Sequence, residues 1–189
     1  MKDLLLLDLP TIGIFATIII ISALVFWRFR RNQPRTLESV LESIAYKQLK
    51  QLVIPKFDEG EIQIDYLVLT TEGFLVIEVK DVYGAVFGGD KVDSWTVINH
   101  ENRFTFRNPQ PALTERVDAV RQMVRQVPVA GRIVFLDGAD FTKGIPNLVT
   151  NLDNLQADFS DPDKDAAKAK IKAFIPYWEQ IEAGQIYSE

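Results

Sequence analysis

Residues 61–80, EIQIDYLVLTTEGFLVIEVK, constrain the fold of this chain more than any other stretch. Two runs, Glu61–Thr70 and Phe74–Lys80, are rich in β-branched and aromatic residues, and Thr71-Glu72-Gly73 joins them. That is the composition of a β-hairpin. Side chains alternate across a strand, so Glu78 and Lys80 share one face of the second run while Ile77 and Val79 share the other. In the first run Gln63 and Asp65 lie opposite Ile62 and Ile64. With the turn centred between Thr71 and Glu72, Asp65 falls directly across from Glu78. Opposed like charges repel, and a sheet tolerates two adjacent carboxylates when a cation sits between them.

The remaining elements are read outward from this hairpin. Thr36 is placed to cap a helix running to Gln51, because Leu37, Leu41, Ile44, Ala45, Gln48 and Leu52 recur at steps of three or four. Residues 52–56 read as a short strand that Pro55 confines to an edge or a bulge. Ala85-Val86-Phe87 is a strand between glycines, and 94–99 pairs with 102–107 around His100-Glu101. A second long helix follows Asn108-Pro109, with Leu113, Val117, Val120, Val124 and Val127 as its apolar stripe and Pro128 as its stop. Residues 132–136 form a buried strand, and 147–159 are partly helical. Asp161-Pro162 caps a last helix that Pro176 ends or kinks. This order predicts an α/β fold with a central mixed sheet and helices on both faces.

Composition narrows the chemistry. Among 189 residues there is no cysteine and one histidine, His100. Disulfides, thiolate metal sites, a cysteine nucleophile and any multi-histidine metal site are excluded. Catalysis must rest on carboxylates, lysines, hydroxyls and whatever metal the carboxylates hold. Residues 1–35 carry five basic and two acidic side chains; the other 154 carry 16 basic and 24 acidic, a net −8. So acidic a domain opposes generic polyanion binding, which depends on neutralising phosphates. Arg103, Arg107, Arg121, Arg125 and Arg132, with Phe104 and Phe106, therefore read first as ordinary exposed strand and helix faces. His100 reads as a solvated turn residue.

Thr11–Trp27, TIGIFATIIIISALVFW, is a run of 17 uncharged residues. A helix of about 20 residues spans the hydrocarbon core of a bilayer, so the run predicts a transmembrane helix over 11–27. Its flanks are the reverse of a signal peptide's: MKDLLLLD precedes it and RFRRNQPR follows. Arg28, Arg30, Arg31 and Arg35 predict a single pass with the N-terminus outside and everything after residue 28 in the cytoplasm. The expected organisation is a short segment (1–10), the span (11–27), a basic juxtamembrane linker (28–35), a domain (36–155) and a helical C-terminal extension (156–189).

The opposed carboxylates point to metal-assisted hydrolysis, in which oxygen ligands hold Mg²⁺, the metal acidifies a water and Lys80 stands beside it. A plainer alternative is a structural Glu–Lys pair with a solvated Asp. An acidic residue on one strand followed on the next by Glu-x-Lys resembles the PD-(D/E)xK nuclease superfamily. More narrowly, EIQIDYLVLTTEGFLVIEVKDVYGAVFG, Trp95, Asn108-Pro109 and GRIVFL resemble the NERD (nuclease-related) domain over residues 36–155. The resemblance implies a restriction-endonuclease-like αβββαβ core, with Mg (or Mn) held by Asp65, Glu78 and the main-chain carbonyl of Val79. It also implies that Lys80 assists the water, making Asp65, Glu78 and Lys80 the catalytic set. Glu42 aligns with a further acidic ligand of the family, with Glu38 competing for that place. After Asn-Pro the family often carries a glutamine where this chain has Ala112; Gln110 is out of phase. The implied substrate is nucleic acid, DNA or RNA. The alternative is a catalytically inactive binding or scaffold module at the membrane that keeps the nuclease fold.

Overall fold

The computed structural model describes residues 36–55, 60–160 and 164–184, and residue 22 alone within the N-terminal segment. The chain divides into two compact units, Met1–Arg35 and Thr36–Glu189. The predicted span over 11–27, apart from residue 22, lies outside the described residues, as does the predicted Asp161-Pro162 cap. Among the described residues no helix is long and apolar enough to cross a membrane.

In the second unit Thr36 caps α1 (Leu37–Ile44), its side chain accepting the Ser39 amide at 3.2 Å. The helix stops at Ile44 rather than at Gln51, a correction to the sequence expectation. From Lys47 the chain is extended as β1 (Lys47–Pro55), paired antiparallel with β2 (Glu61–Thr70) from Lys47↔Leu69 to Pro55↔Glu61. The three- and four-residue spacing continues past Ile44, but an isolated helical turn leaves those backbone groups unpaired from the sheet. Ladder pairing overrides weak local propensity there.

The two-residue turn Thr71-Glu72 leads into β3 (Gly73–Lys80), with Thr70 opposite Gly73 and Tyr66 opposite Ile77, the register predicted from the sequence. Three further strands follow: β4 (Gly84–Phe87), β5 (Ser94–Ile98) and β6 (Arg103–Arg107). Then come α2 (Gln110–Met123), β7 (Val129–Phe135), β8 (Ala139–Asp140), β9 (Val149–Thr150), α3 (Leu152–Phe159) and α4 (Lys164–Ala183). Helix α2 ends before Val124 and Val127, which stay buried in the loop before β7. Helix α4 continues through Pro176.

The strands form two sheets, where the sequence suggested a single central one. The central sheet has order β1-β2-β3-β7-β9, mixed because β7 runs parallel to β3 and β9 to β7. Pro55 ends its edge strand, where a missing N–H costs least. The second sheet has order β6-β5-β4-β8. On one face of the central sheet, α1 and α3 cover Val68, Leu75, Ile77 and Val134. On the other, α2 and α4 cover Phe74, Val76 and Ile133, with Trp178 fully buried against the Phe74 ring at 5.6 Å. This mixed sheet flanked by helices is the predicted α/β class. It puts the last residues of β3 under α2.

Candidate active site

Strand β3 is buried along its length until its last two residues, Val79 and Lys80. Phe74 and Val76 point into the α2 face, and Glu78 and Lys80 continue that phase. Glu78 is thus a carboxylate in a nearly closed environment, its side chain 8% exposed. A buried charge demands compensation. Two cations supply it. Lys80 Nζ lies 2.7 Å from Oε1, and Arg116 Nη1 donates to Oε2 at 3.2 Å. Arg116 comes from the middle of α2, and its Nε also donates to the Gln63 carbonyl at 2.7 Å. The two cationic side chains are 29% and 26% exposed, so the ion triad opens to solvent on one side.

Asp65 lies where the sheet opens. Gln51, across from it on β1, has φ 51, a left-handed conformation inside a strand. The inward phase shifts there: Ile62 and Ile64 join the cluster that holds Leu67 and Leu69. The last pair of the β2–β3 ladder is Tyr66–Ile77. Just beyond it Asp65 Oδ2 accepts the Val79 amide at 2.9 Å. The hairpin therefore brings Asp65 to the main chain of Val79, one residue from Glu78. Its carboxylate is fixed by an amide, and that of Glu78 by two side-chain cations.

Glu42 is not drawn into this group. It is exposed on α1, whose apolar side packs on the opposite face of β3 from Glu78 and Lys80. Glu38 is likewise exposed on α1. Among the described residues no three acidic or histidine side chains cluster at metal-binding distance. The oxygen donors at the end of β3 are the Glu78 carboxylate, the Val79 carbonyl and the Asp65 carboxylate that accepts the Val79 amide. Mg²⁺ is commonly held by one or two carboxylates with waters completing its octahedron, so this hard, all-oxygen set fits Mg²⁺ or Mn²⁺ without a third acid. A carboxylate oxygen accepts more than one bond, so the contacts of Asp65 and Glu78 leave lone pairs for a cation.

Residues 32–136, more than half of the chain, match the family model for the nuclease-related domain, NERD. The chain belongs to the NERD family. An uncharacterised protein of Bacillus anthracis is 25% identical over 88 residues, which cover 47% of this chain and 42% of that protein. The chain thus spans less than half of that relative's length. No solved structure matches.

Two features of this NERD domain escaped sequence reasoning. Arg116 was one charge on a long helix, and nothing in its spacing distinguished it from the solvated Arg121 and Arg125. Gln110 is out of phase with the family pattern, yet it is buried and organises a polar clamp. Its amide nitrogen donates to Asp90 Oδ1 at 2.8 Å and to the Asn147 carbonyl. Asp90 in turn accepts the Asn147 amide and side chain at 2.9 and 2.7 Å. Asn108 completes the clamp, accepting the Gln110 amide at 2.9 Å and donating to the Val92 carbonyl at 2.9 Å. The Asn-Pro pair at the start of α2 thereby ties the β4–β5 loop to the segment before β9.

Proposed function

We propose that this NERD protein is a membrane-tethered, cytoplasmic nuclease that hydrolyses phosphodiester bonds in nucleic acid with a divalent ion, Mg²⁺ or Mn²⁺. The observation that carries the reading is the convergence at the end of β3 of a buried Glu78, a lysine 2.7 Å from it and an Asp65 anchored on the Val79 amide. Asp65, Glu78 and the Val79 carbonyl are the groups to hold the ion. When bound, the ion lowers the pKa of a coordinated water and offsets charge on the phosphoryl oxygens. Lys80, partly exposed beside Glu78, orients the attacking water and stabilises the negative charge that develops on the phosphate. Arg116 keeps the Glu78 carboxylate in a fixed rotamer by gripping it from α2 while its Nε holds the Gln63 carbonyl. Burial of Glu78 limits its rearrangement during the reaction, which favours electrostatic preorganisation.

The tether is the uncharged run 11–27, with its arginine-rich flank inside. Resistance of the protein to carbonate extraction, and digestion of the domain only by protease added to the cytoplasmic side, are the expected results.

Incubation of the detergent-purified full-length chain with DNA and RNA, with Mg²⁺ or Mn²⁺ and with EDTA, tests the enzymatic reading. Metal-dependent cleavage that is lost in Glu78→Ala and in Lys80→Ala is expected. Absence of cleavage, or cleavage that survives the double substitution, rejects it. One observation favours a second reading: both oxygens of Glu78 are already engaged by protein cations. On that reading the triad is structural and the domain is a non-catalytic binding module. It predicts that Glu78→Ala lowers stability while partner binding by the folded fraction persists.

A further inference from the structure

The second sheet presents one face to the interior and carries several exposed side chains on the other. Val86, Trp95 and Val97 form the inner face and are buried. Paired residues in adjacent strands share a face, so the outer face is fixed by the register. Phe87, Thr96 and Thr105 form one row across three strands, and the two threonine hydroxyls lie 3.1 Å apart. Ile98 and Arg103 form the next row, and Ser94 and Arg107 the row on the other side. Arg103, Thr105, Arg107 and Ile98 are exposed. Lys143 places its ammonium 5.8 Å from the centre of the Phe87 ring.

This face follows the candidate active site closely along the chain. Only three residues separate Lys80, at the end of β3, from Gly84, at the start of β4. The third of them is Tyr83, 70% exposed, the most exposed of the large apolar or aromatic side chains in the described residues. Gly138 lies beneath its ring; a Cβ there would come within 2.7 Å of Tyr83 Cδ2. The tyrosine is thus supported from below and bare above.

We infer that the outer face of the second sheet, with Tyr83, is a platform for single-stranded nucleic acid that delivers the strand to Glu78 and Lys80. Tyr83 stacks a base, and Arg103, Arg107 and Lys143, the last seated over the Phe87 ring, neutralise phosphates. The combination of a basic track with aromatic platforms is the chemistry of sequence-tolerant single-strand binding. Charge complementarity selects this occupant: three cations gather on one face of a domain whose 154 residues carry net −8. A second copy paired edge to edge through β6 in antiparallel register would set Arg103 against Arg107, a like-charge juxtaposition. Asp140, paired with Ala85 at the β8 edge, repels phosphate and confines the strand to the β5–β6 side. A duplex keeps its bases stacked inside and has none to offer Tyr83. The inference names the substrate class for the proposed nuclease and rests on that reading for the strand's destination, while the platform itself is testable without cleavage.

The test is fluorescence anisotropy with the full-length chain in EDTA, using short labelled oligo-dT, oligo-rU and a duplex of equal length over a range of salt. Single strands binding at least tenfold more tightly than duplex is expected. Tyr83→Ala should weaken single-strand binding about tenfold, within the range for loss of one stacking platform. The triple variant R103A/R107A/K143A should flatten the salt dependence by about 2 in log–log slope, three contacts at about 0.7 each. Arg125→Ala, on an exposed position beyond the end of α2, should bind as the parent does. All these positions are exposed, and circular dichroism of each variant separates lost binding from lost fold. Equal affinity for duplex, or variants on the platform that bind as the parent does, overturns the inference. Platform-dependent binding without any metal-dependent cleavage upholds the platform and rejects the enzyme; cleavage unaffected by the platform variants does the reverse.

Discussion

Replacing Arg116 with leucine isolates what holds Glu78 in place. The Arg116–Glu78 contact is 3.2 Å, so the pairwise attraction is about 5 kcal/mol gross at an effective dielectric of about 20. Most of that is not lost, because Lys80 stays 2.7 Å away and the 26% exposed position of the guanidinium admits water. Hydrogen bonds to charged groups contribute about 1.5–3 kcal/mol net, and the released Gln63 carbonyl is rehydrated at small cost. A loss of about 2 kcal/mol is therefore expected, since leucine retains the packing volume. With a urea m-value of about 2 kcal/mol/M the unfolding midpoint should fall by about 1 M. The same variant frees one carboxylate oxygen. If Glu78 is a metal ligand, Mg²⁺ or Mn²⁺ should then stabilise Arg116→Leu more than the parent, by up to about 2.7 kcal/mol at a hundredfold excess over Kd. A midpoint that moves by less than a quarter of the expected shift would mean that water already compensates Glu78. An identical metal response in both proteins would refute competition between Arg116 and an ion for that carboxylate.

Gly73→Ala should be among the more damaging substitutions: φ is +120, and a Cβ would meet the Pro128 carbonyl oxygen at 2.2 Å. Both partners are backbone, so at least about 2 kcal/mol of stability should be lost by urea titration, and near-parent stability would contradict it. Gly131→Ala should cost about 1–3 kcal/mol, because its Cβ would lie 2.6 Å from Val117 Cγ2 where α2 packs on β7. Adding Val117→Ala should recover part of that loss in a double-mutant cycle, whereas strict additivity would locate the strain elsewhere. Gln110→Leu should cost about 1–3 kcal/mol by removing its side-chain bonds to Asp90, Asn108 and the Asn147 carbonyl. Native-state hydrogen exchange should then rise selectively over 88–93 and 141–148; a uniform rise would mean that the clamp does not hold these segments locally.

What could be read from the sequence was whatever depends on neighbours along one strand or one turn. The hairpin register follows from a two-residue turn between alternating strands, and the Tyr66–Ile77 pair matches it. The faces of Glu78 and Lys80 follow from the same alternation. The Thr36 cap is legible for a similar reason, since a hydroxyl and an amide three residues apart need no third partner. The helical reading of 45–51 failed because it took periodicity as sufficient. Pairing with Leu67 and Leu69 across β2 satisfies those backbone groups in a way no local pattern announces.

Charge pairing belongs to the other category. From the sequence, two carboxylates opposed in a ladder called for a cation, and a bound ion was the natural guest. In the fold the ladder ends at Tyr66–Ile77, Asp65 takes an amide instead, and an arginine 38 positions away along the chain reaches Glu78. Glu42 shares the domain with Glu78 but stands on a helix packed against the opposite face of the strand. The hairpin sequence alone determined that an acid and a lysine would share the end of a buried strand, because alternation is a property of the backbone. Which charges compensate that acid was decided only when α2 came to rest against β3. Electrostatic energy depends on distance through space, and the sequence records distance only along the chain.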